Sequence, residues 1–323
     1  MSNFAHYRGS PESRMFSLPG QSLGAGLSER VGELAAELPL AAVFGLRTAA
    51  WLHGLDVLPR SVSNDCWPVE VVVPKGVELA SRRGLRVYRW GLGTDVEQIG
   101  DVLVTTKART ALDCARVLPR LDAVSAVDQF LRGGLELAEL RRRAAIVGDR
   151  GSARLMGAVL DVADTRAESP LESWARCLIV DAGLPRPVAQ LPVGLRDGSI
   201  VHLDLGYRRF RVGIECNGLR YHATDDMREH DRQRRKRLES EGWLMFTLYG
   251  SDVVVSPDDM LAEIRWRLRH RGWKPSELQL ERVEKRVRYL AMALRLERED
   301  WNAAWGLGLS RRMPRSRYIT STG

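Results

Sequence analysis

Residues 201–222 read VHLDLGYRRFRVGIECNGLRYH. In the first half Val201, Leu203 and Leu205 are apolar, which leaves His202 and Asp204 on the other side. In the second half Phe210, Val212, Ile214 and Cys216 alternate with Arg211, Gly213 and Glu215. Successive side chains of a strand point to opposite faces, so strict alternation predicts two half-buried strands. Gly206-Tyr207-Arg208-Arg209 between them is short enough for a hairpin turn. In a suitable register the hairpin brings Asp204 and Glu215 together on one face. Two carboxylates held close repel each other, and a divalent cation relieves that repulsion. The pair therefore points to metal-assisted hydrolysis.

The flanking sequence frames this hairpin as part of an α/β layer. Upstream, Ser169-Pro170-Leu171-Glu172 opens a helix, with Ser as cap, Pro in the first position and Glu three residues after the cap. A strand is expected near 188–193. Downstream come a charged helix around 225–241 and the run Trp243–Tyr249, apolar on both sides as a central strand would be. Ser256-Pro257 starts a further helix that runs through Leu268 toward Gly272. Helix, strands, helix, strand, helix is the order of a small α/β domain over 165–272.

The rest of the chain divides around it. Residues 1–27 are rich in Gly, Ser and Pro and read as a flexible arm. Over 28–164 the pattern is mainly helical, with a small strand-bearing part: strands at Val69–Val73, Leu85–Trp90 and Val102–Thr105, then helices from Lys107 to Val162. Helix–turn–helix or winged-helix geometry near 28–73 stays open. Asp164–Glu168 reads as a domain boundary. In 273–323, Val283, Val287, Leu290 and Leu294 sit at helical spacing ahead of a basic tail.

A length of 323 residues accommodates two cores. Lys plus Arg is 49 against 41 Asp plus Glu, a net charge of +8, which favours a polyanionic partner, nucleic acid before membrane. The 4 cysteines are scattered, with no CxxC pair, so neither a zinc ribbon nor a disulfide scaffold is indicated. No secretory leader and no apolar run of membrane-spanning length is evident, so a cytoplasmic protein without a membrane partner is expected. P-loop, dinucleotide and G-x-S-x-G fingerprints are absent.

SPLE, HLDL, GIECNG-x3-H, Asp231-x-x-Arg234 and a final apolar strand, in that order, resemble the PD-(D/E)xK nuclease superfamily, nearest to its very-short-patch repair (Vsr-like) endonucleases. The resemblance covers 165–272 and implies a restriction-endonuclease-like fold with a central mixed sheet. AAVFGLRTAAWLHGL and VTTKARTALDCA make residues 30–160 similar to AbiEi-antitoxin-like domains. The nuclease resemblance implies that Asp204 and Glu215 bind Mg2+ or Mn2+, with the Cys216 carbonyl assisting. Asn217 stands where the superfamily usually has Lys; a neutral amide cannot offset phosphate charge. His222 matches the Gly-x3-His spacing, and a neutral imidazole can accept a proton near neutral pH. Glu172 has two readings, a capping-box residue with Ser169 or an active-site acid on the first helix, with Glu168 as competitor. Arg228, Arg232 and Arg235 would line one helix stripe suited to phosphates, beside Arg234 and Asn217. Tyr221 fits core packing better than base stacking. Cys216, His222 and His230 do not make a standard zinc set.

The expected activity is thus metal-dependent DNA endonuclease, with RNA open as a substrate and a protein partner for the N-terminal domain conceivable. The alternative is a non-catalytic DNA-binding or antitoxin-like regulator on a degenerate nuclease fold, and a plain protein-interaction module is the third class.

Overall fold

A computed structural model of the chain describes residues 25–55, 57, 68–147, 149–217 and 225–306, with the side chains at 25, 225–228, 230, 231 and 298–306 outside that description. The chain is mixed α/β, with helices preceding a mixed-sheet domain, as the sequence predicts. The described residues form two compact units, one of 25–54 and 68–105, the other of 55, 57 and all those from 106.

The first unit contains α1 (Ala25–Glu37), β1 (Val43–Phe44), α2 (Leu46–Leu52), β2 (Val69–Val73), β3 (Leu85–Arg89), β4 (Val96–Ile99) and β5 (Val102–Thr105). Its sheet runs β3-β2-β1-β5-β4. Leu27, Val31, Phe44, Trp51, Val69 and Val104 form its core. The strand VEVVV is buried throughout, Glu70 included. A carboxylate there is tolerable only if it is satisfied. It accepts the Arg47 backbone N–H at 3.0 Å and the Tyr88 hydroxyl at 3.1 Å.

The second unit opens with a helical layer, α3 (Lys107–Val117), α4 (Arg120–Arg132), α5 (Leu137–Ala145) and α6 (Arg150–Val162). There follow α7 (Pro170–Asp181), β6 (Val188–Gly194), β7 (Ile200–Tyr207), β8 (Val212–Asn217), α8 (Asp225–Ser240), β9 (Leu244–Tyr249), α9 (Gly250–Val254), α10 (Pro257–His270) and α11 (Glu277–Gly306). The sheet order is β6-β7-β8-β9, antiparallel except for the parallel β8–β9 pair.

The polar run 164–168 is packed rather than linking, and the chain divides near 105 instead. The Asp164 N–H donates to Asp128 at 2.8 Å, and the Ala167 carbonyl accepts from Arg132 at 3.0 Å. Arg120 grips Asp181 through two hydrogen bonds of 2.6 and 2.8 Å, and Arg176 pairs with Asp128. All four side chains are buried. Removing one partner of such a pair strands a charge and costs about 3–5 kcal/mol. These pairs bind α4 to α7, so the helical layer and the nuclease-like sheet are one body.

Two further expectations are corrected. Gly206 and Tyr207 belong to β7, and the turn is Arg208–Arg211, with Arg211 at φ 49°. Glycine is needed inside the strand because a Cβ on Gly206 would lie 2.5 Å from Leu191 Cδ2. The apolar run Trp243–Tyr249 forms an edge strand, not a central one. Its two-sided apolar character has another cause: helices α8, α9 and α10 all pack against it, and the Arg267 guanidinium lies 4.7 Å from the Phe246 ring centre. Arg235 reaches the Met245 carbonyl at 3.3 Å, which helps cover the open edge. In α11, Val283 and Leu290 are buried, as the helical spacing predicts. Among the described residues no helix is long and apolar enough to cross a membrane.

Candidate active site

The β7–β8 register pairs Tyr207 with Val212, Gly206 with Gly213 and Leu205 with Ile214. One step further come Asp204 and Glu215, the two acids of the alternating hairpin. There the ladder gives way to a side chain: Asp204 Oδ2 accepts the Cys216 backbone N–H at 2.7 Å. A short acid thus takes the place of a strand carbonyl, which fixes its carboxylate between the two strands.

Glu215 Oε2 accepts from Arg234 Nη1 at 2.8 Å, and the other arm of that guanidinium bonds the His202 carbonyl. Arg234 comes from α8, so the helix is pinned across β7 and β8 by one residue.

Glu172 lies in the first turn of α7 and is 4% exposed. The capping-box reading holds in its geometry. Its N–H donates to the Ser169 hydroxyl at 3.3 Å, and that hydroxyl donates to Oε1 at 2.8 Å. Oε2 accepts the Glu168 N–H and the Gln190 side-chain amide, each at 3.0 Å. Burial pushes the Glu172 carboxyl above its ordinary pKa, and the charge of Asp204 adds to the rise. Asp204 is raised likewise, first by burial and further by Glu168, against the lowering pull of the Cys216 N–H, Arg234 and Gln190. Cys216 records the same convergence: burial raises its thiol well above normal, and Asp204, Glu172 and Glu215 each add to it.

Gln190 is the residue that sequence reasoning missed. Its φ of 48° makes it one of the few non-glycine residues in the left-handed region, a conformation that costs about 1–3 kcal/mol. Its side-chain amide donates to Glu172, joining β6 to α7, and its proximity lowers the Asp204 carboxyl. The available signal was a lone polar residue inside the buried strand segment Val188–Gly194.

The remaining candidates are distributed as follows. Asn217 ends β8, exposed, in register with Tyr249. Gly218, Tyr221 and His222 lie outside the described residues, as do the side chains of Arg228, His230 and Asp231. Arg232 pairs with Glu229, and Arg235 with Glu239 at 2.8 Å and Thr247 Oγ1 at 3.3 Å. Both arginines are exposed. Such surface pairs are worth at most about 1 kcal/mol and yield readily to a phosphate.

Among the described residues no three His, Cys, Asp or Glu side chains are gathered in the geometry of a metal centre. The donor chemistry nevertheless fits a hard divalent ion: carboxylates from Asp204, Glu215 and Glu172 and a strand carbonyl at Cys216 are all oxygen ligands. Among the described residues, Arg234 is a cation that faces this set.

Comparison with known proteins divides the chain near the polar run 164–168 and not at the end of β5. A restriction-endonuclease-like family model, REase_MTES_1575, matches residues 193–268. The model of the AbiEi antitoxin C-terminal domain matches residues 41–161. Two Mycobacterium tuberculosis proteins bearing the names uncharacterized protein MT2308 (strain CDC 1551 / Oshkosh) and uncharacterized protein Rv2248 (strain ATCC 25618 / H37Rv) are each 30% identical over 225 residues. That span is 69% of this chain and 80% of each relative. No solved structure gives a significant match.

Proposed function

This chain belongs to the family of the Mycobacterium tuberculosis proteins MT2308 and Rv2248, and from its paired strand carboxylates we propose that it is a metal-dependent endonuclease of the Vsr-like kind acting on DNA. The observation that carries this reading is the placing of Asp204 and Glu215 one step beyond the β7–β8 ladder, Asp204 held by the Cys216 N–H and Glu215 by Arg234. Acids from separate strands brought together at a sheet end, with Asp204 raised in pKa chiefly by burial, mark a site more often than a scaffold. The restriction-endonuclease-like match spans Asp204, Glu215 and Arg234.

Asp204 and Glu215 would hold Mg2+ or Mn2+, with the Cys216 carbonyl and Glu172 completing an oxygen shell. A cation bound there supplies Lewis acidity toward a phosphodiester and the attacking water. Asp204 is oriented by the Cys216 N–H, and Glu172 by Ser169, Glu168 and Gln190, so both carboxylates are fixed before substrate arrives. His222 is assigned the proton-accepting role on its chemistry and spacing alone. Arg232 and Arg235, with Arg228 and Asn217, would meet the DNA backbone. The AbiEi-like segment would target the nuclease to DNA or to a protein partner.

The test is supercoiled plasmid, single-stranded DNA and RNA incubated with purified protein and Mg2+ or Mn2+. Nicking is expected to need metal and to vanish in Asp204→Ala. Cleavage that persists in Asp204→Ala, or no cleavage of any substrate with either metal, overturns the proposal.

A second reading, a non-catalytic DNA-binding regulator, is favoured by Asn217 and by the Arg234 guanidinium resting on Glu215. It predicts salt-sensitive DNA binding without turnover.

A further inference from the structure

The carboxylate cluster already contains a cation of its own. Asp204, held by the Cys216 N–H at 2.7 Å, and Glu215 face each other one step beyond the β7–β8 ladder, and Glu168 adds its charge at Asp204. Against these acids stands Arg234, hydrogen-bonded to Glu215 Oε2 at 2.8 Å and acting electrostatically on Asp204 as well. Its second arm rests on the His202 carbonyl, so two hydrogen bonds aim the guanidinium into the cluster. The side chain is 29% exposed, on the rim rather than in the core, and can therefore leave without unpacking the sheet. Its neighbours on α8 differ: Arg232, Arg235 and Arg237 pair with Glu229, Glu239 and Asp197, acids outside the cluster.

We propose that Arg234 is a built-in, exchangeable counter-cation of this site, so that a divalent metal binds Glu215 by displacing the guanidinium. This rests on the metal-site reading above and sets its affinity. The guanidinium holds Glu215 in place while no metal is present, then gives up the Oε2 contact when one arrives. Two consequences follow from electrostatics. Removing the arginine removes both a competitor and a nearby positive charge, so metal binds more tightly. The metal-free protein loses the neutralising partner of its acids, so it melts at a lower temperature.

The experiment is calorimetric titration of Mn2+ into the full chain, as wild type, Arg234→Gln, Arg234→Lys and Asp204→Asn, with melting curves for each. Arg234→Gln is expected to bind Mn2+ at least about tenfold more tightly than wild type and to melt lower without metal. Arg234→Lys retains the charge without the forked geometry and should fall between the two. Asp204→Asn should lose Mn2+ binding. If wild type binds Mn2+ and Arg234→Gln and Arg234→Lys bind it no more tightly, the exchange is overturned while the metal site stands. A merely structural arginine gives that outcome, a lower melting temperature with unchanged or weaker affinity. If neither wild type nor any variant binds Mn2+, the metal site falls and the exchange with it.

Discussion

The side-chain amide of Gln190 on β6 donates to the Glu172 carboxylate on α7 across 3.0 Å. It does so from a backbone at φ 48°, which a glutamine adopts only at a cost. The strain and the bridge belong together: the unusual backbone lets one neutral group hold a buried acid.

That pairing separates structure from function at one position. Gln190→Gly relieves the backbone penalty and removes the bridge. Its melting temperature should stay within a few degrees of wild type, because the gain offsets the lost hydrogen bonds. Mn2+ affinity or plasmid nicking should fall about tenfold as the Glu172 carboxylate loses its orientation. Unchanged affinity and nicking in Gln190→Gly would show the bridge to be only structural.

Glu172 can be dissected in the same way. Glu172→Gln keeps an acceptor oxygen for the Glu168 N–H and the Gln190 amide and turns an NH2 toward the Ser169 hydroxyl, which can accept from it, while removing a buried charge. Glu172→Ala removes both. Thermal melts should show Glu172→Gln as stable as wild type or slightly more so, and Glu172→Ala weaker by about 1 kcal/mol or more, the usual worth of a cap. Metal binding should weaken in both. If only the alanine variant loses metal binding, Glu172 acts through the cap and not as a ligand.

The raised carboxyls set the sign of the pH dependence. Glu172 and Asp204 sit above their ordinary values in the folded protein, so the native state holds protons that the unfolded chain has released. Their effect on metal-free stability is therefore most favourable at low pH and is lost as pH rises through the raised values. Metal acts in the opposite sense, because it needs the ionised forms. Melting curves with and without Mn2+ should nearly coincide at about pH 5 and separate by about pH 8, with the separation abolished in Asp204→Asn. An equal Mn2+ shift at both pH values would contradict this coupling.

Much of this site was legible before any fold was known. Asp204 and Glu215 stood out as acids on the polar side of alternating strands, and Glu172 as a capping residue; each signal is local. Gln190 and Arg234 were not legible in the same way. Gln190 is uncharged and its role depends on a backbone angle that composition does not encode. Arg234 is one basic residue among several on α8, and only packing decides which of them turns back to the sheet. The same limit explains the fold-level differences. Strand β1 is two residues long and β4 is a mostly exposed edge, so neither has a pattern to read. Hydrophobicity placed β9 in a sheet but could not place it at the edge. The run 164–168 reads as a linker because its bonds to Asp128 and Arg132, distant in sequence, are made by backbone groups that leave no side-chain pattern.

The buried pairs Arg120–Asp181 and Arg176–Asp128 carry a consequence for how such a gene can change. A recombination event that exchanged everything ahead of residue 165 would strand two opposite charges on α7 with no counter-ions. The nuclease-like portion is therefore not a cassette that can be shuffled alone: its first helix carries charges whose partners lie on α4.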